Sequence, residues 1–373
     1  MNRIIAILSC IMCLHIPEGY SQNGNWPLFH GNSALTGSIS FELQSSPVLL
    51  WSLATGESTG SSPVINDGMI FFGTGKGNLI CAGNDGKIIW KSPCGGALDA
   101  PPLAFERKIM IGSSEGIFRA FDEATGKQLW SYQTDNQIAG SANAWTGGTD
   151  KGIIFGSYDY FLHCVDPATG KMKWKTETEN YVNGTPAVSG GIVVFGGCDG
   201  MIRIVDAMTG KEKDTAEIGV YIAASPALSE NRAYFGDYDG NFYCLDLKTH
   251  RIIWKVPATD NSGAVLGIPA VHGNYIVIGN EDKNVYCYNA TTGKSIWKYR
   301  TNGRVTGSAV ISPSGVLFGS TDGNIYILNL ADGQKIWSFN TGSPVSSTPA
   351  VISGRFYFLT QDGRLLAFGT KPQ

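Results

Sequence analysis

The chain has 373 residues, of which 28 are basic and 31 acidic, for a formal net charge of −3. That balance excludes a dedicated nucleic-acid binder, which would carry a basic patch. Charged residues make up 16% and hydrophobic residues 43%, and 48 glycines accompany abundant Val, Ile, Tyr and Phe, which favours an all-β chain with many turns.

In chain order, residues 1–21 stand apart. "MNR" supplies a positive start, "IIAILSCIMCL" an apolar run, and the small residues Gly19 and Ser21 precede Gln22. The run is too short to span a bilayer, so it reads as a secretory signal peptide. The mature chain is therefore expected in the periplasm or outside the cell, peripheral at most to a membrane. Neither Cys10 nor Cys13 makes a convincing lipid-attachment site, because Cys10 lies close behind Arg3 and Cys13 follows the bulky Met12. Residues 22–45 form a lead-in, residues 46–369 the body, and residues 370–373 a tail.

The body is periodic. Tryptophan recurs at Trp51, Trp90, Trp130, Trp174, Trp254, Trp297 and Trp337, in steps of 39, 40, 44, 80, 43 and 40. The double step hides a degenerate copy, "MTGKEKD", with Asp214 in the tryptophan slot. Twelve residues beyond most of these positions stands a proline or alanine: Pro63, Pro102, Ala142, Pro186, Pro226, Ala309 and Pro349. After Trp254 the gap is fifteen, to Pro269. In the unit that starts "GTPAVS" (184–189), a second β run "GIVVFG" (191–196) leads through Asp-Gly to the alternating strand "MIRIVD" (201–206). "AMTG" then turns into a fourth strand. Four short strands in about 40 residues, eight times over, predict an eight-bladed β-propeller of four-stranded antiparallel blades. The eighth unit lacks its fourth strand, and "SPVLLWSLA" (46–54) precedes the first without partners. The N-terminal strand is thus expected to complete the last blade.

"ATGKxxW" preceded by strands such as "NFYCLD" resembles the repeat of the pyrroloquinoline-quinone (PQQ)-like eight-bladed propellers, and "NWPLFHGNSALTG" (25–37) is similar to their lead-in. The resemblance implies that the tryptophans dock blade to blade. It also implies one of two functional kinds: quinoprotein dehydrogenases that bind PQQ and calcium over the channel, or non-catalytic envelope propellers of the outer-membrane assembly type typified by BamB.

The sequence favours the second kind. It has no adjacent cysteines to form the vicinal disulfide of the dehydrogenases, and its only insertions are "AWTGGTDKG" (144–152) and "ATDNSGAVLG" (258–267). The expectation is no catalytic, cofactor or metal residues, and a monomer that scaffolds envelope proteins. The alternatives are a PQQ-dependent dehydrogenase or a carbohydrate- or peptide-binding propeller. Cys81, Cys164, Cys244 and Cys287 share one strand slot in different units, too far apart to pair, and Cys94 and Cys198 are read as unpaired too. His30, His163, His250 and His272 are scattered singly, with His250 in place of a turn glycine. A recurring hairpin acid (Glu115, Asp159, Asp199, Asp239, Asp282, Asp322, Asp362) matches what such turns prefer, and Lys76 breaks the series. What remains is one face around the channel mouth, expected to carry Tyr158, Tyr160, Tyr181, Tyr221, Tyr238, Asp260, Asn261 and Arg304 as a partner-binding patch.

Overall fold

The computed structural model describes residues 24–370, apart from 223, 260 and 261. The proposed signal peptide with Cys10 and Cys13, and the loop residues Asp260 and Asn261, lie outside the described residues. Eight separate four-stranded antiparallel sheets make up the fold, and seven of them run in simple chain order from inner to outer strand. The first blade is Val64–Asn66, Met69–Gly73, Asn78–Gly83 and Ile88–Pro93. The unit singled out in the sequence is blade four: Ala187–Ser189, Ile192–Gly196, Met201–Asp206 and Glu212–Glu217. Its second turn is looser than a two-residue hairpin. Gly196 pairs with Ile202, and the four residues Gly197 to Gly200 lie between the two strands, closing on Gly200, whose φ is +76°.

The eighth blade closes as expected. Its order from outside to inside is Val48–Ala54, Arg364–Gly369, Arg355–Leu359 and Ala350–Ile352. The N-terminal strand pairs antiparallel with Arg364–Gly369, with a bulge between Leu49 and Trp51. Immediately after this strand, buried Glu57 is gripped by blade one: Thr74 Oγ1 donates at 2.6 Å, Asn78 Nδ2 at 2.9 Å and Lys91 Nζ at 2.6 Å.

The repeated phrase is explained by its own two ends. In "DxxTGK" turns, Asp122 accepts the Thr125 N–H at 2.9 Å, and Asp166 and Asp206 serve Thr169 and Thr209 in the same way. The glycine that follows takes a left-handed φ: +68° at Gly126, +70° at Gly170 and +69° at Gly293. The preceding blade's tryptophan lies flat on that glycine. A β-carbon on Gly170 would stand 2.5 Å from Trp130, and one on Gly126 2.6 Å from Trp90. The indole N–H then donates to a carbonyl of the same neighbouring blade: Trp51 to Asn84 at 2.8 Å, Trp90 to Glu123 at 3.0 Å, Trp130 to Pro167 at 3.2 Å, Trp174 to Ala207 at 3.2 Å, Trp254 to Ala290 at 3.2 Å and Trp297 to Leu330 at 2.7 Å. Thus the W of one copy meets the TG of the next. Trp337 faces the closing blade, which has no such turn, and packs edge-on against Phe356 and Phe368 instead.

The degenerate seam departs at both ends together. Asp214 replaces the tryptophan of blade four, and His250, at φ +56°, replaces the glycine of blade five. The Asp214 carboxylate and the His250 Nδ1 pair across the seam. A hydrogen-bonded Asp–His contact bridges the gap that the ring would fill.

Three measurements test these seams. Gly170→Ala combines a left-handed alanine with a clash against Trp130, and should cost about 1–3 kcal/mol in urea unfolding. Asp214→Trp with His250→Gly should raise the melting temperature, whereas Asp214→Trp alone, pressed on the His250 side chain, should lower it. Burial works against the Glu57 carboxylate, but Lys91, Thr74 and Asn78 outweigh it and bring its pKa to about 2, from an ordinary 4.5. Because the folded value is the lower one, this stabilisation is whole above about pH 4.5 and is lost as pH falls toward 2. Glu57→Gln should remove roughly 3 kcal/mol of that acid-dependent stability and flatten the acid limb of the unfolding curve.

Candidate functional site

A propeller's innermost strands present unpaired backbone edges to the channel, and buried edges need partners. Here the lead-in supplies them. Carbonyls of Trp26, Pro27, Ser33, Ala34, Thr36 and Gly37 accept N–H bonds of 2.7–2.8 Å from Ile65, Ala104, Val188, Leu228, Val271 and Ile311, the innermost strands of six blades. In blade three the Asn143 side chain donates to Ser33 O at 2.7 Å in place of the backbone. In blade eight Gln44 reaches Gly354 O at 3.2 Å. Trp26, Leu35 and Ile39 are buried in the ring. His30 is also buried, with Nδ1 2.7 Å from Leu35 O and Nε2 2.8 Å from Ala309 O. Burial pushes its imidazole down to about 4, against the pull of those two carbonyls. The lead-in is therefore a plug that touches every blade.

The plug turns the channel into a blind basin of about 180 Å³, open toward the loops that join each fourth strand to the next blade. Phe29 of the plug lines it, together with small and hydroxyl residues of those loops. One position per blade forms a girdle around it. Ser141 N–H donates to Thr185 Oγ1 at 3.0 Å, and Thr185 N–H to Ser225 Oγ at 2.6 Å. Past the next blade, Ile268 N–H donates to Ser308 Oγ at 2.8 Å, Ser308 N–H to Thr348 Oγ1 at 2.9 Å, and Thr348 N–H to Ser62 Oγ at 2.9 Å. Pro101 has neither group to offer, and there Ser141 donates its hydroxyl to Pro101 O at 2.9 Å. The sequence reading missed this girdle. Its signal was the column just before the Pro/Ala marker, where six of the eight residues are Ser or Thr (Ser62, Ser141, Thr185, Ser225, Ser308, Thr348).

The expected tyrosines sit around this mouth. Tyr158 N–H donates to Gln137 O at 2.9 Å, and Tyr238 N–H to Tyr221 O at 2.9 Å, so each pair is pinned across a seam. Tyr158 and Tyr181 stack with ring centroids 4.4 Å apart, and Tyr160 lies 5.4 Å from Tyr181. Exposure is 44% for Tyr160, 36% for Tyr181, 57% for Tyr221 and 55% for Tyr238, while Tyr158 is half-buried behind them. Arg304 stands farther around the ring and pairs with Glu281 at 3.0 Å, so it is apart from the arc over blades three to five.

Several of the recurring acids are already committed to neighbouring protein groups. Asp159 meets His163 Nε2 at 3.1 Å, Asp199 accepts from Arg203 at 2.6 Å, Asp322 from the Tyr326 hydroxyl at 2.8 Å, and Asp282 from Tyr286. In blade five the role falls to Asp237, which takes Tyr243 at 2.8 Å and Asn241 at 2.6 Å, and not to Asp239. Among the described residues no three of His, Cys, Asp and Glu are placed to hold a metal ion. Cys81, Cys94, Cys164, Cys244 and Cys287 are buried free thiols and Cys198 a partly exposed one. Burial raises the Cys81, Cys164, Cys244 and Cys287 thiols to about 12, so they behave as small apolar side chains.

A quinone with three carboxylates and a calcium ion would need cationic and anionic side chains around the channel mouth. Among the described residues the basin lining contains neither, so those residues do not fit that pair.

Blades, plug and closure define an eight-bladed PQQ-like propeller. The chain belongs to the family described as outer membrane protein assembly factor BamB, whose model matches residues 46–151, 144–217 and 198–373. A protein of that name from Burkholderia pseudomallei (strain K96243) is 34% identical over 74 residues, 20% of this chain and 19% of that one. The match thus spans about a fifth of that relative's length. Among solved structures, BamB from Moraxella catarrhalis superposes with a TM-score of 0.74 at 20% identity, covering 87% of this chain and 100% of that chain. The quinohemoprotein alcohol dehydrogenase of Comamonas testosteroni reaches 0.80 at 14% identity, covering 95% and 82%. Both likenesses concern the fold.

Proposed function

We propose that this protein is an exported, non-catalytic propeller that holds protein partners of the bacterial envelope on its tyrosine-bearing face, in the service of outer-membrane protein assembly. The observation that carries this reading is the arc of tyrosines over blades three to five. Tyrosine offers a large contact area with few rotors and a polar tip, which suits a recognition surface. Here the stacked Tyr158–Tyr181 pair and the backbone bonds between loops hold the rings before any partner arrives, which limits the ordering cost of binding. Family membership supports the envelope role, and the absence of charge among the basin's described lining residues supports a binder over a quinone enzyme.

In-cell cross-linking tests it. A photo-reactive residue at Tyr221 or Tyr238 should capture envelope proteins, while the same residue at Lys211, in a turn at the opposite end of blade four, should not. Replacing Tyr181, Tyr221 and Tyr238 together by Ala should weaken capture about tenfold or more without lowering the melting temperature. Equal capture from both faces would refute the assignment. Dye reduction by the purified protein after addition of PQQ and calcium would establish the dehydrogenase instead.

A further inference from the structure

The girdle hydroxyls have a second capacity that the fold does not use. Ser62, Thr185, Ser225, Ser308 and Thr348 each accept one backbone N–H from the preceding blade, and each is at least nine-tenths buried. A hydroxyl carries one donor and two acceptor lone pairs. None of the five donates to any described protein group, so each retains its hydrogen and one lone pair. All five line the basin. Asn183 lines it too. Its amide lies in hydrogen-bonding reach of the Tyr158 hydroxyl, while its Oδ1 is buried without a partner. Among the described residues the lining holds no charged side chain, and the aromatic ring of Phe29 contributes an apolar surface on the plugged side.

Each feature narrows the occupant. Groups that both donate and accept match ligand hydroxyls, which do the same. The absence of lining charge removes the attraction that would hold an anion or a cation against its hydration. An aromatic surface beneath a ring of hydroxyls suits a molecule with a C–H face and polar edges. The volume admits several waters or one compact ring. We infer that the basin is a binding site for a neutral polyhydroxyl ring, such as a single hexose or the end unit of a glycan. This site is separate from the protein-binding reading of the tyrosine arc. The arc lies on the exposed loops, whereas the basin is the channel itself, so either can fail alone.

Titration of the full chain with glucose, N-acetylglucosamine and myo-inositol, followed by backbone amide NMR, tests the inference. Saturable shifts should appear at the amides of Thr185, Ser225, Ser308 and Thr348, with a dissociation constant in the millimolar range typical of so few contacts. Ala139→Trp adds bulk at an exposed position of the basin wall without touching the girdle, and should weaken binding at least tenfold while leaving the melting temperature unchanged. Thr185→Val should weaken binding several-fold, and a second hydroxyl removal at Thr348 serves if the first variant folds poorly. Absence of saturable shifts with all three probes would overturn the proposal. So would shifts that persist unchanged in Ala139→Trp, or shifts produced by inorganic phosphate and not by the sugars.

Discussion

The ring depends on one contact made over and over: a tryptophan laid on a left-handed glycine of the next blade. The contact works only as a pair. A β-carbon on the glycine would meet the indole ring, and without the ring the glycine would leave a gap at the seam. The indole N–H adds direction by reaching a carbonyl at the start of that glycine's turn, as Trp297 does with Leu330 ahead of Gly333. Because the two halves belong to adjacent copies, no blade is complete alone, and stability is shared through nearest-neighbour seams. The fourth seam shows the coupling most clearly. Once the ring is lost at Asp214, the glycine is no longer required, and His250 occupies its turn and supplies a partner.

A second constraint acts at the axis. Eight innermost strands leave eight backbone edges facing the channel. The lead-in answers this by offering carbonyls one after another to blade after blade, from Trp26 to Gly37. In doing so it decides which end of the channel is open. The plugged end is filled with Trp26, His30, Leu35 and Ile39, and the open end becomes a basin beside the tyrosine arc, with no charged side chain among its described lining residues. One segment thus stabilises the ring and shapes its candidate binding face.

The architecture was readable because repetition multiplies weak signals. A single TG–W phrase is an ordinary turn followed by a strand, but eight units at nearly constant spacing leave few folds. The missing fourth strand of the last unit and the spare strand at 46–54 pointed to the same closure that Val48–Ala54 makes with Arg364–Gly369. The hairpin acids were correctly attributed to turn chemistry. Their partners were not visible, because Tyr326 and Arg203 are ordinary strand residues until the strand is built.

The sequence by itself determined the number of blades, the turns between strands and the face on which the tyrosines stand, since all of these follow from local spacing along the chain. Only the tertiary structure decided the rest: the plug, the girdle and the Asp214–His250 pair. Each of these is a contact between distant segments, such as His30 with Ala309 or Thr348 with Ser62. They arise when closing the ring brings separate edges to one axis; the chain's periodicity shows a column of Ser and Thr, but not which group each hydroxyl meets.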